Sequence, residues 1–397
     1  MIALDVSHTA HTRAQSGIQQ VVRGLWRALE PQGKAVPVVF DPYARRWRRL
    51  TEAERETLAA EQAPVGSKRG ASWTTSAKIR GTIGRFLPQA RRPEGIPPQT
   101  PLLLAEVWDR LGPERIRAWR KDVGGTVGAT FNDAVVLRHP QWAPAKTLTR
   151  FPAYQRELCT VDGIAAISEA SAQDLKELAE RHVWTRPAVE AISLGVRDDL
   201  AATAERARQR RRRRGARGVP HFVSIGTLEG RKNHLALLEA AEALWREGFP
   251  FTLALFGRLN RETGQKAADK IAELQKAMAS LEWHQNASQT EIVEAFDEAD
   301  VSLYPSHYEG FGLPVEESLA LGCPVLTTAG GALRERTQHG GCLVSPPDPM
   351  SLTAAWRQLL EDETLITRLT DEACQRPIRR AQTHAEEIYA WLTALRP

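Results

Sequence analysis

The run Val301 to Tyr304 is apolar over the length of a buried strand. It is followed at once by Pro305-Ser306-His307-Tyr308-Glu309-Gly310-Phe311-Gly312-Leu313-Pro314-Val315-Glu316-Glu317, after which apolar positions recur at helical spacing to Leu321. A strand that passes through a short glycine-containing loop straight into a helix is the repeating step of a parallel α/β sheet. Pro314 suits the first helical turn, where its missing N–H leaves no bond unmade. Glycines on both sides of Phe311 let the backbone approach a ligand with no side chain in the way. Glu309 and Glu317 flank the loop, and two readings fit them: carboxylates converging on a polyhydroxyl ligand, or, with Glu316, acids that stabilise a helix start.

The same alternation runs through most of the chain. In the N-terminal half, Ile2 to Val6, Pro101 to Ala105, Thr126 to Thr130 and Gly163 to Ile167 read as strands. Helical spacing appears at Ile18, Val21, Val22, Leu25 and Leu29 and again over Pro113 to Lys121, and Ser171 with Asp174 resembles a capping box. In the C-terminal half the strands are His221 to Ile225, Phe251 to Phe256, Leu281 to His284, Val301 to Tyr304 and Cys323 to Thr327. Helices Leu235 to Trp245, Ala267 to Ala279 and Thr290 to Phe296 fall between them, and Ala385 to Leu395 forms a helical tail. A chain of 397 residues exceeds one ordinary core and suffices for two such domains.

The division expected is an N-terminal domain over 1–200, an arginine-rich linker over 201–217, a C-terminal domain over 218–380 and a final helix over 381–397. Residues 41–98 lose the alternation and are basic, with Arg45, Arg46, Arg48, Arg49, Lys68, Arg69, Lys78, Arg80, Arg85, Arg91 and Arg92 interleaved with Trp47, Trp73 and Phe86. This insertion reads as solvated surface, or as a contact for an anionic membrane or acceptor. Residues 201–217, mostly alanine and arginine, read as an exposed linker.

No apolar run is long enough to span a bilayer, and the N-terminus reads as strand instead of secretion signal, so the expected location is cytoplasmic, with peripheral membrane contact. The cysteines Cys159, Cys323, Cys342 and Cys374 lack the spacing of a zinc site, and no Asp-x-Asp motif is present. No metal or other cofactor is expected. The net charge of +5 suits an anionic partner without choosing among them, and no nucleic-acid motif accompanies it.

Several segments carry a resemblance. Pro-Ser-x-x-Glu-Gly-Phe-Gly-Leu-Pro-x-x-Glu over 305–317 resembles the donor-site signature of retaining family-4 glycosyltransferases of the GT-B fold. Gly226-Thr227-Leu228-Glu229-Gly230-Arg231-Lys232-Asn233 resembles their second donor motif, although an Arg-Lys pair at a helix start is by itself ordinary surface charge. Ser16-Gly17-Ile18-Gln19 resembles their N-terminal glycine loop, and Asn132-Asp133 stands where the family usually has His-Asp.

The resemblance implies two Rossmann-like, doubly wound parallel-sheet domains facing a cleft, with the final helix crossing back to the first domain. It implies a nucleotide-diphosphate sugar as donor, with Glu309 bonding the transferred sugar, the Gly310, Phe311, Gly312 and Leu313 backbone lining its pocket, and Glu317 holding the ribose. Arg231 and Lys232, beside Gly226, would neutralise the diphosphate without metal, and Gly17, Asn132 and Asp133 would complete the donor site. The implied acceptor is a glycan or a polyprenyl-diphosphate-linked sugar. Ser-Gly-Ile-Gln and His139-Pro140-Gln141-Trp142 make mannose from GDP-mannose the first choice, and a weakened sugar-nucleotide-binding or scaffold protein is the alternative. His139 itself is read as structural.

Overall fold

The computed structural model describes residues 1–60, 71–86, 92–108, 111–143, 145–184, 187–214, 218–278 and 280–396. Of the sequence expectations, Lys68, Arg69, Arg91, 215–217 and Ala279 lie outside them. The chain forms two compact units, the first from Met1–Asp133, Thr149–Leu194 and Ala381–Pro397, the second from Ala134–Leu148 and Gly195–Arg380.

The first unit holds a seven-stranded sheet of order β3-β2-β1-β4-β5-β6-β7. Its strands are β1 (Ile2–Asp5), β2 (Ala35–Asp41), β3 (Arg46–Arg49), β4 (Leu102–Leu104), β5 (Val127–Phe131), β6 (Gly163–Ala166) and β7 (Ala188–Ala191). All pairs are parallel except β2 with β3, which form an antiparallel hairpin. On one face Ile2, Leu4 and Leu103 pack with Val22, Leu25 and Leu29 of helix Gly17–Leu29 and with Ile388 and Leu392 of helix Ala381–Ala394. The helix that starts near Ser171 begins earlier than its capping pattern suggests. Ser168 is the N-cap, and its hydroxyl accepts the Ser171 N–H at 3.0 Å.

The expectation that 41–98 lacks regular structure is corrected here. Trp47 is buried in β3, donates to the Arg115 carbonyl at 3.0 Å and lies edge-on to Phe40 and Trp119. Arg48 pairs with Asp41 at 3.2 Å and with Glu54 at 2.7 Å, and His11 meets Glu54 at 2.9 Å while stacking on Trp73. Burial opposes the charge on Glu54, but Arg48, His11 and Thr51 together hold its carboxyl well below the usual range. Part of the basic composition is thus internal structure.

The second unit holds a six-stranded parallel sheet of order β10-β9-β8-β11-β12-β13. The strands are β8 (His221–Ile225), β9 (Thr252–Phe256), β10 (Leu281–His284), β11 (Val301–Tyr304), β12 (Val325–Thr327) and β13 (Cys342–Val344). One face packs through Leu238, Leu244, Phe251 and Trp356, the other through Phe296, Val315, Leu319 and Ala204.

The linker expectation also fails, because Asp198–Arg213 is a helix of this unit. Ala201, Ala204 and Ala207 repeat at helical spacing and are buried with Phe296, Leu319 and Ala320. The arginines beside them close the ends of other helices. Arg208 donates to the carbonyls of Ala320 at 2.8 Å, Cys374 at 3.1 Å and Arg376 at 3.0 Å. Arg211 donates to Ala299 and Phe296, and Arg214 to Asp297 and Glu298. Helices leave their last carbonyls without partners, so a guanidinium there satisfies several acceptors and complements the dipole.

Arg211→Ala should therefore lower the unfolding free energy in urea by about 2 kcal/mol or more, since charged hydrogen bonds to buried carbonyls are lost. Arg206→Ala, on the exposed side of the same helix, should stay within about 0.5 kcal/mol of wild type. Equal effects at the two positions would contradict the capping role.

Candidate functional site

In the second unit β8 and β11 are neighbours, and the strand order reverses between them. Loops leaving the carboxyl ends of two such strands splay to opposite faces of a sheet, which opens a crevice where α/β folds bind ligands. The loop after β8 carries Gly226 to Asn233, and the loop after β11 carries Pro305 to Gly312.

Electrostatics join these loops. Glu309 is only 7% exposed, and its two carboxylate oxygens take separate cations: Arg231 on one, and Lys232 at 2.5 Å on the other. Arg231 also donates to the Tyr308 carbonyl at 3.1 Å and pairs with Glu229 at 2.8 Å. Burial opposes ionisation of Glu309, but Arg231 and Lys232, with a hydrogen bond from Ser306, hold its pKa at about 2. Backbone bonds fix the pairing, with the His307 N–H donating to the Arg231 carbonyl and the Ala332 N–H to the Glu309 carbonyl, both at 2.9 Å. Asn233, in the left-handed region at φ 59°, ties the first loop down by donating to the carbonyls of Pro305 at 3.1 Å and Pro347 at 2.6 Å. Lys232 uses one of its three donors on Glu309 and has two more to offer.

Gly312 is the N-cap of helix Leu313–Ala320 at φ +90°, and a Cβ there would lie 2.9 Å from Leu333 Cδ2. Conformation and space both require glycine at this position. The N–H groups of Phe311, Gly312 and Leu313 find no acceptor among the described residues, which leaves the start of this helix ready for hydroxyl or phosphate oxygens. The Phe311 ring is itself buried, under the Arg336 guanidinium at 4.4 Å, so it contributes backbone and packing. Gly310 is buried as well, and a Cβ on Gly226 would lie 3.7 Å from the Lys232 stem.

The two glutamates of the helix part company. Glu316 is held by Arg336 at 3.1 Å and Arg376 at 3.4 Å, a structural role. The Glu317 carboxylate accepts no hydrogen bond among the described residues, and burial, with Asp199 adding and Arg197 opposing, pushes its pKa up to about 7.

Residues 134–148, which the sequence reading left in the N-terminal domain, belong to the second unit. They bring Trp142 into parallel stacking with His307 at 4.6 Å and His139 to within 5.1 Å of the Tyr308 ring. Burial lowers the pKa of both histidines. From the sequence, His139-Pro140-Gln141-Trp142 reads only as a pointer to the donor, and this stacking is not anticipated. Ser288 caps helix Gln289–Glu298.

Gly17, Asn132 and Asp133 belong to the first unit. Gly17 is the exposed first residue of its helix. The Asn132 carbonyl accepts the Ser171 hydroxyl at 2.7 Å, while its buried side-chain Nδ2 has no hydrogen-bond partner among the described residues. Among the described residues no group of three or more His, Cys, Asp or Glu is arranged to hold a metal ion, and no helix is long and apolar enough to cross a membrane.

Two doubly wound α/β units, the second with a cationic crevice at its switch point, define the GT-B class of fold. Its solved members support this assignment. The chain aligns over 99% of its own length and 99% of theirs with sucrose-phosphate synthase of Thermosynechococcus elongatus (TM-score 0.66, 17% identity) and with Anabaena HepE in complex with UDP and glucose (TM-score 0.66, 14% identity). Residues 205–383 match the family described as glycosyl transferases group 1, so the chain carries a domain of that family. Among curated relatives it is 25% identical over 373 residues to the serotype-specific mannosyltransferase WbdA of Escherichia coli. That alignment takes in 91% of this chain but 43% of WbdA, so the chain spans less than half the relative's length.

The Glu309 pairs have a pH signature. Because the folded pKa lies below the ordinary 4.5, their stabilisation is full above about pH 4.5 and is lost as pH falls through about 2. Wild type should be more stable to urea than Glu309→Gln near neutral pH, and the gap should close on acidification across that window. A gap that does not change with pH would rule out ionised Glu309 as its source.

Proposed function

We propose that the protein is a nucleotide-sugar-dependent glycosyltransferase that moves a hexose, with retention at the anomeric carbon, to a hydroxyl of a glycan or polyprenyl-diphosphate-linked acceptor. The observation that carries this reading is the Glu309, Arg231 and Lys232 cluster at the β8/β11 switch point of a glycosyl transferases group 1 domain. In the reaction the bond between C1 and the phosphate oxygen breaks, and the diphosphate leaves with the electron pair. The acceptor oxygen bonds to C1 on the same face, and its proton passes to the departing phosphate. Charge grows on the diphosphate as the sugar becomes oxocarbenium-like, and Arg231 and Lys232, already positioned by Glu309, stabilise that charge without a metal. Glu309 also bonds the sugar, the Gly310 to Leu313 backbone lines its pocket, and Glu317 accepts from the ribose hydroxyls. GDP-mannose is the donor we favour, on the likeness to a serotype-specific mannosyltransferase, with surface polysaccharide assembly in the cytoplasm as the setting.

The deciding experiment is single-turnover transfer from GDP-mannose, after thermal-shift comparison of GDP, UDP and ADP. Saturation at about a hundredfold over the dissociation constant adds roughly 2.7 kcal/mol of stability, so the preferred nucleotide is recognisable. Lys232→Ala and Glu309→Gln should each slow transfer on the order of a hundredfold or more. Asn132 supplies the sharper test, since an amide can hydrogen-bond a sugar hydroxyl but cannot relay a proton. With the leaving phosphate as base, Asn132→His should change the rate only modestly and Asn132→Ala should lose activity. A wild type that binds donor without turnover, beside an active Asn132→His, would make the protein a sugar-nucleotide-binding protein instead.

Glu317 gives the binding step a pH dependence. Hydroxyl donors prefer the carboxylate, and free Glu317 has a pKa of about 7, so nucleotide affinity should rise as pH increases through neutrality. Isothermal titration should show this component in wild type and its loss in Glu317→Gln. The same pH profile in both proteins would remove Glu317 from the ribose site.

A further inference from the structure

Helix Thr75–Gly84 packs in the reverse of the usual sense. Its inward positions are Ala77, Gly81 and Gly84, all buried. The approach is close, because a Cβ on Gly81 would lie 2.8 Å from both Asp41 Oδ1 and Tyr43 Cβ, and one on Gly84 would lie 3.0 Å from Arg46 Nη2. Its large apolar side chains face solvent: Ile79 and Ile83 are each 56% exposed, and Phe86, just past its end, is 80% exposed. Spacings of four and three residues place them along one stripe. A water-soluble helix ordinarily buries such residues and exposes its polar ones.

Lys78, Arg80 and Arg85 are exposed on the same helix and its C-cap and make no ion pair among the described residues. Between β3 and the helix lies a cavity of about 740 Å³ whose lining includes Arg46, Arg49, Arg80, Ile79 and Ile83, together with Asp41 and its ion-pair partner Arg48. Several other basic and aromatic residues of this region are committed elsewhere. Arg45 faces Glu114 at 3.6 Å, Arg48 holds Asp41 and Glu54, and Trp47 and Trp73 pack internally.

We propose that this helix is a docking face for an anionic lipid bilayer. Ile79, Ile83 and Phe86 enter the headgroup boundary, Lys78, Arg80 and Arg85 lie among the phosphates, and Arg46 and Arg49 take a headgroup in the adjoining cavity. Charge complementarity selects the bilayer: an apolar stripe bordered by unpaired cations matches an interface whose acyl boundary is covered by anionic headgroups. A protein groove would satisfy the isoleucines and give the cations no reason to surround them. The inference is independent of the sugar chemistry.

The test is flotation of the full chain with vesicles of phosphatidylcholine, alone or mixed with phosphatidylglycerol, at low and high salt. Wild type should float with the mixed vesicles, and salt should release it. Lys78→Gln, Arg80→Gln and Arg85→Gln should each weaken binding roughly fivefold, as about 1 kcal/mol per surface cation implies. The double variant Ile79→Ser with Ile83→Ser should lose at least tenfold while keeping its melting temperature and nucleotide-induced shift, because both side chains are exposed. Failure of wild type to float at low salt would overturn the proposal, as would binding that the double variant leaves unchanged. Self-association in sedimentation velocity that the double variant abolishes, without lipid binding, would assign the face to a second copy of the chain.

Discussion

A single buried carboxylate joins the two loops on which the second unit's site depends. Glu309 lies beyond β11 and its partners Arg231 and Lys232 beyond β8, so the ion pairs hold together segments some eighty residues apart in sequence. Burying one ion alone is costly, and an unpaired carboxylate here would protonate or pull the loop outward. With two cations, one on each oxygen, the charge is compensated and the geometry fixed before any ligand arrives. Such preorganisation suits a site in which negative charge develops on a departing group, because little reorganisation is left for the moment of reaction.

Neighbouring groups show how narrowly the charges are apportioned. His234, two residues beyond Lys232, is buried and held neutral, its pKa lowered to about 3 by burial and by Lys232. A proton there would compete with Arg231 and Lys232 for Glu309. Glu316 and Glu317 are adjacent on one helix and have opposite fates, since Arg336 and Arg376 claim the first and the second keeps an uncommitted carboxylate with a raised pKa. Helix position alone does not separate them; the guanidinium groups packed on one side do.

In the second unit β8, β9 and β11 were legible in the sequence because each is a short apolar run ended by glycine or proline, whereas the three-residue strand β13 was not read. The Val301 to Tyr304 strand and the His221 to Ile225 strand coincide with β11 and β8. Composition misled where polar residues do internal work. Arg46-Trp47-Arg48-Arg49 buries only Trp47, and a strand with three arginines reads as surface until Asp41 and Glu54 are found paired with Arg48. The alanine spacing of 201, 204 and 207 was a helical signal hidden by the arginine count, and the acceptors of Arg208 and Arg211 lie more than eighty residues away. Residues 134–148 were misplaced for a different reason: local pattern assigns a segment to the strand before it, and only tertiary packing brings Trp142 to His307.

These arginines divide one composition into three kinds of work. Arg208, Arg211 and Arg214 close helix ends, Arg48 neutralises a buried carboxylate, and Arg231 stands in the crevice. A guanidinium suits all three because its planar donors meet several acceptors at once and its charge is never lost. Arg46, Arg49, Arg80 and Arg85 do none of these and share the region of one helix that also exposes its isoleucines. Net charge therefore overstates what this protein offers a partner. Once the internally satisfied cations are set aside, the surplus in that region lies where apolar surface is also uncovered, and that coincidence, which no count of residues reveals, is what gives the helix its direction outward.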